Sequence, residues 1–244
     1  MRKLLLAALA LFALTGAAFA GDNLVWGVYG SAGVQPIFLD VSGLNSYLAE
    51  AHVHRFSPVV PTIGGALQVV LDERYHFGID NYTFLTYETG RQVEAHFAGD
   101  CFTVFFGYDA ISTPVWRLRP VIGLGVSVLA LTVDGVNGHL HNVALPANDD
   151  ILTYQSNSTI GKAGLVIEWT PTLWHKANGL IGMTLSFSGG MMVPLTDNGW
   201  QITASGAYDA DAHGTGPKVQ MLAGYAALGV SFGGGITDGA TGAK

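Results

Sequence analysis

Hydrophobic and polar residues alternate with a period of two along much of this chain, the pattern of strands with two unlike faces. In 115–132 the even positions are Trp116, Leu118, Pro120, Ile122, Leu124, Val126, Val128 and Ala130. The odd positions are Arg117, Arg119, Val121, Gly123, Gly125 and Ser127. In 181–193, Ile181, Met183, Leu185, Phe187, Met191 and Val193 oppose Gly182, Thr184, Ser186, Ser188 and Gly190. In 222–232, Leu222, Ala226, Leu228, Val230 and Phe232 oppose Ala223, Tyr225, Ala227, Gly229 and Ser231. The pattern predicts eight strands, over 24–31, 61–72, 75–86, 91–108, 115–132, 151–169, 179–193 and 218–232. Segment 200–208 alternates too, and either extends the last hairpin or makes the barrel ten-stranded.

The two faces identify the two solvents. A soluble barrel turns its large apolar face inward and a Lys- and Glu-rich face outward. Here the polar face is Gly, Ser, Thr and Tyr with a few charges, which suits a crowded polar interior. The uniformly large apolar face suits lipid, the sense of alternation found in transmembrane barrels. Connections also alternate. Those near 32–60, 133–150 and 194–217 are long, with a short one at 87–90, whereas 73–74, 109–114 and 170–178 form the shorter series. Long outside loops and short periplasmic turns are expected, with both termini in the periplasm. Between 40 and 51, Leu44, Tyr47, Leu48 and Ala51 fall at helical spacing, with Asp40 or Ser42 as a cap. This predicts a short helix in the first extracellular loop, on the rim or dipping into the mouth. The fold class expected is therefore all-β, an antiparallel transmembrane β-barrel.

Composition sharpens this picture. The chain of 244 residues is 49% hydrophobic and only 12% charged, with one Cys and a net charge of −7. Such a chain collapses rather than staying disordered. A disulfide framework and a basic nucleic-acid footprint are both excluded. Arg2 and Lys3, an apolar run over 4–14 and Ala18-Phe19-Ala20 read as a signal peptide over 1–20. Without it, 9 basic residues face 18 acidic ones. The barrel is expected over 21–232 and a disordered Gly-rich tail over 233–244. Cys101 lies in an apolar run and reads as a buried thiol.

The inward polar set is Tyr29, Gln68, His76, Asp80, Glu94, His96, Arg117, Arg119, Lys162 and Glu168. Arg117, Arg119 and Glu168 fall near the periplasmic end of two adjacent strands and predict, with Lys162, a charge-paired lumen cluster, since ions in a narrow barrel must be paired or hydrated. His76, Asp80, Glu94 and His96 form a second polar lumen group, in which Asp80, Glu94 and His96 could meet. An eight-stranded interior is just filled by side chains, so packing is the first reading of both groups and an ion-selecting constriction the second. His52/His54 and His139/His141 are i, i+2 pairs, too weak to specify a metal. There is no G-x-S-x-G, H-E-x-x-H or Walker sequence, so neither catalysis nor a cofactor is expected. Trp26, Trp116, Trp169, Tyr75 and Tyr108 sit at strand ends, where barrels carry aromatic girdles.

Trp26-Gly-Val-Tyr-Gly after a leader, the helix-like 43–48, Gly64-Gly65 opening the second strand and Tyr75-His76-Phe77-Gly78-Ile79 in the third together resemble small bacterial outer-membrane β-barrel proteins. The likeness is broadly to the membrane domain of outer-membrane protein A. It implies the outer membrane as location, with its lipids and the barrel-assembly machinery as partners. Members end on an aromatic residue read by that machinery; here the counterpart is Phe232, and twelve residues follow it. The leading functional expectation is a non-enzymatic protein that supports the envelope or presents loops to extracellular partners. A narrow channel, a lipid-modifying enzyme and a secreted lipocalin-like binder are the alternatives.

Overall fold

Strand pairing closes on itself. In this computed structural model, β1 (Trp26–Val34), β4 (Ile63–Leu71), β5 (Tyr75–Thr89), β6 (Glu94–Tyr108), β8 (Trp116–Asp134), β11 (Ile151–Trp169), β12 (Gly182–Pro194) and β14 (Ala223–Ile236) follow one another as antiparallel neighbours, and β14 returns to β1. The structure describes residues 26–49, 52–72, 74–90, 93–113, 115–134, 139–140, 143–144, 151–170, 182–196, 198–202, 217, 219 and 221–236. The expected leader and the tail beyond 236 lie outside these residues. β14 runs four residues past Phe232, pairing Gly233–Ile236 with β1, so this part of the expected tail is wall. The remaining short pieces are β2 (Ile37–Leu39), β3 (Val59–Val60), β7 (Ile111–Ser112), β9 (His139–Leu140), β10 (Val143–Ala144) and β13 (Trp200–Ile202). One helix, α1, spans Ser42–Leu48.

Several short strands are continuations of long ones. β2 pairs with β14 beyond the point where β1 stops, and β3 pairs with β2. The break falls at Gln35-Pro36 and Pro61-Thr62, where proline removes ladder donors. Gln35 and Thr62 bridge it, each N–H donating to the other's carbonyl (2.9 and 3.2 Å). β13 likewise prolongs β12 along β11. Segment 200–202 is thus an extension of an existing strand, and the ring has eight strands. Pro120 sits in β8 opposite Leu165 of β11, at a point where the ladder to β6 has ended at Val121 and that to β7 reaches only Leu118.

Outward side chains are lipid-like near the termini. On β8, Trp116, Ile122, Leu124 and Val126 are exposed, with Ile122 and Leu124 both at 63%, while Arg119, Val121 and Ser127 are buried. On β11, Leu165, Ile167 and Trp169 are exposed, and Lys162 and Glu168 buried. At roughly 3.3 Å per residue and a tilt of about 40°, residues 116–126 rise about 25 Å, the height of the apolar band of membrane barrels. Trp116–Trp169 and Tyr75–Tyr108 pack as ring pairs at its terminal edge, with centroids 6.2 and 5.4 Å apart.

Beyond that band the faces exchange polarity. On β8 the inward residues become Leu129, Leu131 and Val133, all buried, and the outward ones end in Thr132 and Asp134. On β11, Leu152, Tyr154 and Ile160 turn inward while Thr153, Gln155, Asn157 and Thr159 turn outward. Along β8 and β11 the wall is that of a membrane barrel near the termini and of a soluble barrel near the loops, whereas β5 keeps Leu85 and Tyr87 exposed at the loop end.

The loop-end interior is filled by the connection 35–62. Leu44, Tyr47 and Leu48 form the buried face of α1, joined by Ile37, Leu39, Val53, Phe56 and Val60. A helix of seven residues is marginal alone; this apolar face, worth roughly 1.5–3 kcal/mol per fully buried large side chain, holds it. Its N-cap residue, Val41, offers no side-chain acceptor, and Asp40 instead takes the Ser42 N–H at 3.0 Å. Asn45 clips the loop shut, donating to the Phe56 carbonyl and accepting from its N–H (3.1 and 2.8 Å). Tyr47 and Tyr154 hydroxyls hydrogen-bond and anchor the helix to β11.

The exchange of faces makes a test. Ile122→Arg, in the band, should cost roughly 2–4 kcal/mol in urea unfolding from lipid vesicles. Asn157→Arg, also outward but beyond it, should cost less than about 0.5 kcal/mol.

Candidate functional site

The terminal half of the lumen holds ionised groups, and the register explains their meeting. Glu168 lies opposite Arg117 on the ladder between β11 and β8, and Arg119 is the next inward position. The guanidinium of Arg119, 2% exposed, crosses the lumen. Its Nε donates to Asp109 Oδ1 at 2.8 Å, Nη2 to Glu168 Oε2 at 2.7 Å and Nη1 to Gln68 Oε1 at 3.4 Å. His76 Nε2 is 3.1 Å from Asp109 Oδ2, and Arg117 Nε is 3.8 Å from the same oxygen. Two guanidinium charges thus balance two carboxylates. Gly107 makes room for this arm, since a Cβ there would stand 2.5 Å from Arg119 Cδ.

Asp109 is the member that strand patterning misses. It follows β6 in what reads as a turn. The back-pairing of β7 on β8 folds that turn across the barrel end and buries the carboxylate. Burial alone would push the Asp109 carboxyl up, but the hydrogen bond with His76 and the Arg119 charge outweigh it and hold it below the ordinary range. An acidic residue directly after a girdle tyrosine, one short turn before two inward arginines, is the available signal.

Farther from the termini, Lys162 forms a separate layer rather than joining the arginines. Its Nζ is 2.5 Å from Asp80 Oδ2 and 5.3 and 5.1 Å from the ring centres of Tyr82 and Tyr225. Thr103 donates to the other Asp80 oxygen. The Tyr225 ring lies over Gly164, where any Cβ would collide with its hydroxyl. Between the two layers is a cavity of about 80 Å³, lined by Ser31, Gln68, Ser186, Ser188 and Ser231 along with the ionised groups. It has room for a handful of waters.

Glu94 and His96 do not belong to the lumen. They lie on the outer face of β6 at the loop end, 64% and 43% exposed, with Glu94 Oε2 3.8 Å from His96 Nε2. The expectation that polar means inward fails there because water, not lipid, meets that part of the wall. Asp80, Glu94 and His96 consequently form no triad: the wall stands between the first and the other two. His52 and His54 are exposed, and no group of three or more His, Cys, Asp or Glu gathers among the described residues. His139 and His141 have no described side chains.

No family model matches the chain, and no curated protein matches it. Among solved structures it is similar to the N-terminal β-barrel domain of Pseudomonas aeruginosa OprF, at 13% identity and a TM-score of 0.36, over 85% of this chain and 96% of that one. It is also similar to Neisserial surface protein A (NspA), at 8% identity and a TM-score of 0.38, over 86% and 96%.

Arg119→Ala leaves two buried carboxylates without their common partner and should cost roughly 3–5 kcal/mol in vesicle unfolding. Asp109 gives a pH signature. Its native pKa is depressed, so its contribution is complete above the unfolded value of about 3.9 and is lost as pH falls through the native one. The stability difference between wild type and Asp109→Asn should therefore shrink on acidification below about pH 4.

Proposed function

We propose that this protein is a non-enzymatic outer-membrane barrel with a closed lumen, which supports the envelope or presents its loops to extracellular partners. One observation carries the reading: the interior is occupied along its length. Connection 35–62 packs an apolar face into the mouth, the Lys162–Asp80 layer crosses the middle, and the Arg119 network crosses the terminal end. The cavity of about 80 Å³ between the ionised layers is lined on both sides by paired charges. Location in the outer membrane rests on the apolar outer band and on its aromatic edge. Lipids of that membrane are then the partners of the band, and the barrel-assembly machinery acts on β14. A signal peptide over 1–20 provides for export.

The ionised groups of the lumen, Arg119, Asp109, Glu168, Lys162 and Asp80, are paired with one another, which favours rigidity over chemistry. Purified protein in planar bilayers should show no unitary currents, and lipid analysis after overexpression should show no altered acyl or headgroup species. Steady currents from wild type would favour the narrow channel instead, and a modified lipid the enzyme.

A further inference from the structure

A nook lies on the loop-end side of Tyr82, walled by Gln35, Phe84, Cys101, Met192 and Met221. It serves neither the ion-paired layers nor the helix anchor. Cys101 Sγ and Met192 Sδ are 3.7 Å apart, and all three sulfur-bearing side chains are buried. Gln35, 1% exposed, also lines it, and neither its Oε1 nor its Nε2 has a hydrogen-bond partner among the described residues.

From this juxtaposition we propose that the nook is a binding site for one soft monovalent metal ion, Cu(I) or Ag(I), held by Cys101 Sγ with the thioethers of Met192 and Met221. Thiolate and thioether sulfur select soft ions. Two sulfurs 3.7 Å apart, each bonded at about 2.3 Å as thiolates bond zinc, subtend roughly 110° at the metal. That angle leaves space for a third sulfur. The nook admits no water molecule. Hard cations that keep part of their hydration shell are therefore barred, whereas a bare ion seated among sulfurs needs no such space.

Charge makes the same choice. On binding, the Cys101 S–H bond breaks, a sulfur–metal bond forms and the proton leaves to water, with no electron transferred. One thiolate and one monovalent cation give a neutral site, tolerable in apolar surroundings; a divalent ion would leave an uncompensated charge there. Gln35 supplies what the new thiolate needs, an N–H donor otherwise left unpaired in a buried place.

The test uses the full chain folded into detergent in the presence of Ag(I) or, anaerobically, Cu(I), with folding scored by heat-modifiable gel migration. Competition with a chromogenic Cu(I) chelator should report one tightly held ion per chain. Cys101→Ser should abolish it, and Met192→Leu and Met221→Leu should each weaken it at least tenfold with the folded band retained. Met191→Leu, on the lipid-facing side, should change nothing. The proposal is overturned if the folded chain holds no ion against the chelator. It is equally overturned if both inward methionine variants bind as wild type does, which would mean the thiol alone was titrated.

Discussion

The structure depends on what solvent touches the outside of the wall. Lipid offers no hydrogen bonds, so a wall that faces it must carry large apolar side chains outward and send every polar group to the axis. Water reverses the preference. β8 and β11 are long enough to meet both, and each exchanges its faces partway along, near Ser127 on one and Ile160 on the other. One continuous ladder thus encloses a polar chamber in its terminal half and an apolar core in its loop half.

That division explains the two ways the interior is closed. In the terminal half the lumen is too narrow for bulk water and too polar to collapse, and long charged arms span it. Arg119 and Lys162 serve because each reaches across to carboxylates from other strands or from a turn. Glycine at 107 gives Arg119 its place, and glycine at 164 gives Tyr225 its place. In the loop half there is apolar surface to cover, and 35–62 covers it. The hydrophobic term that a soluble domain spends on its centre is here spent on seating a plug.

Pairing of buried charges does not in itself favour stability over an apolar filling of equal volume. Its effect here is specificity: Arg119, held by Asp109, Glu168 and Gln68 from three different parts of the chain, fits one register of β8 against β11 and one path of the turn carrying Asp109. A one-residue slip would put these ions into lipid.

Alternation alone determined most of the wall. Period two is a local property of an extended chain, so Arg119, Glu168, His76, Asp80 and Lys162 could be placed inward, and Leu124 and Phe187 outward, without knowing any partner. The helix at 42–48 was legible for the same reason, being a change of local period. What only the tertiary structure decided is everything set by depth or by distant contacts. Glu94 and His96 share the alternation of β6, yet their side of the wall meets water, and no local pattern states how far lipid extends. Asp109 is in a turn, and its burial comes from where the turn folds. Lys162 reads by sequence as a partner of the arginines, and the reach across the barrel to Asp80 puts it in the other layer. The meeting of Gln35, Cys101, Met192 and Met221 comes from closure of the ring, which brings together positions far apart along the chain.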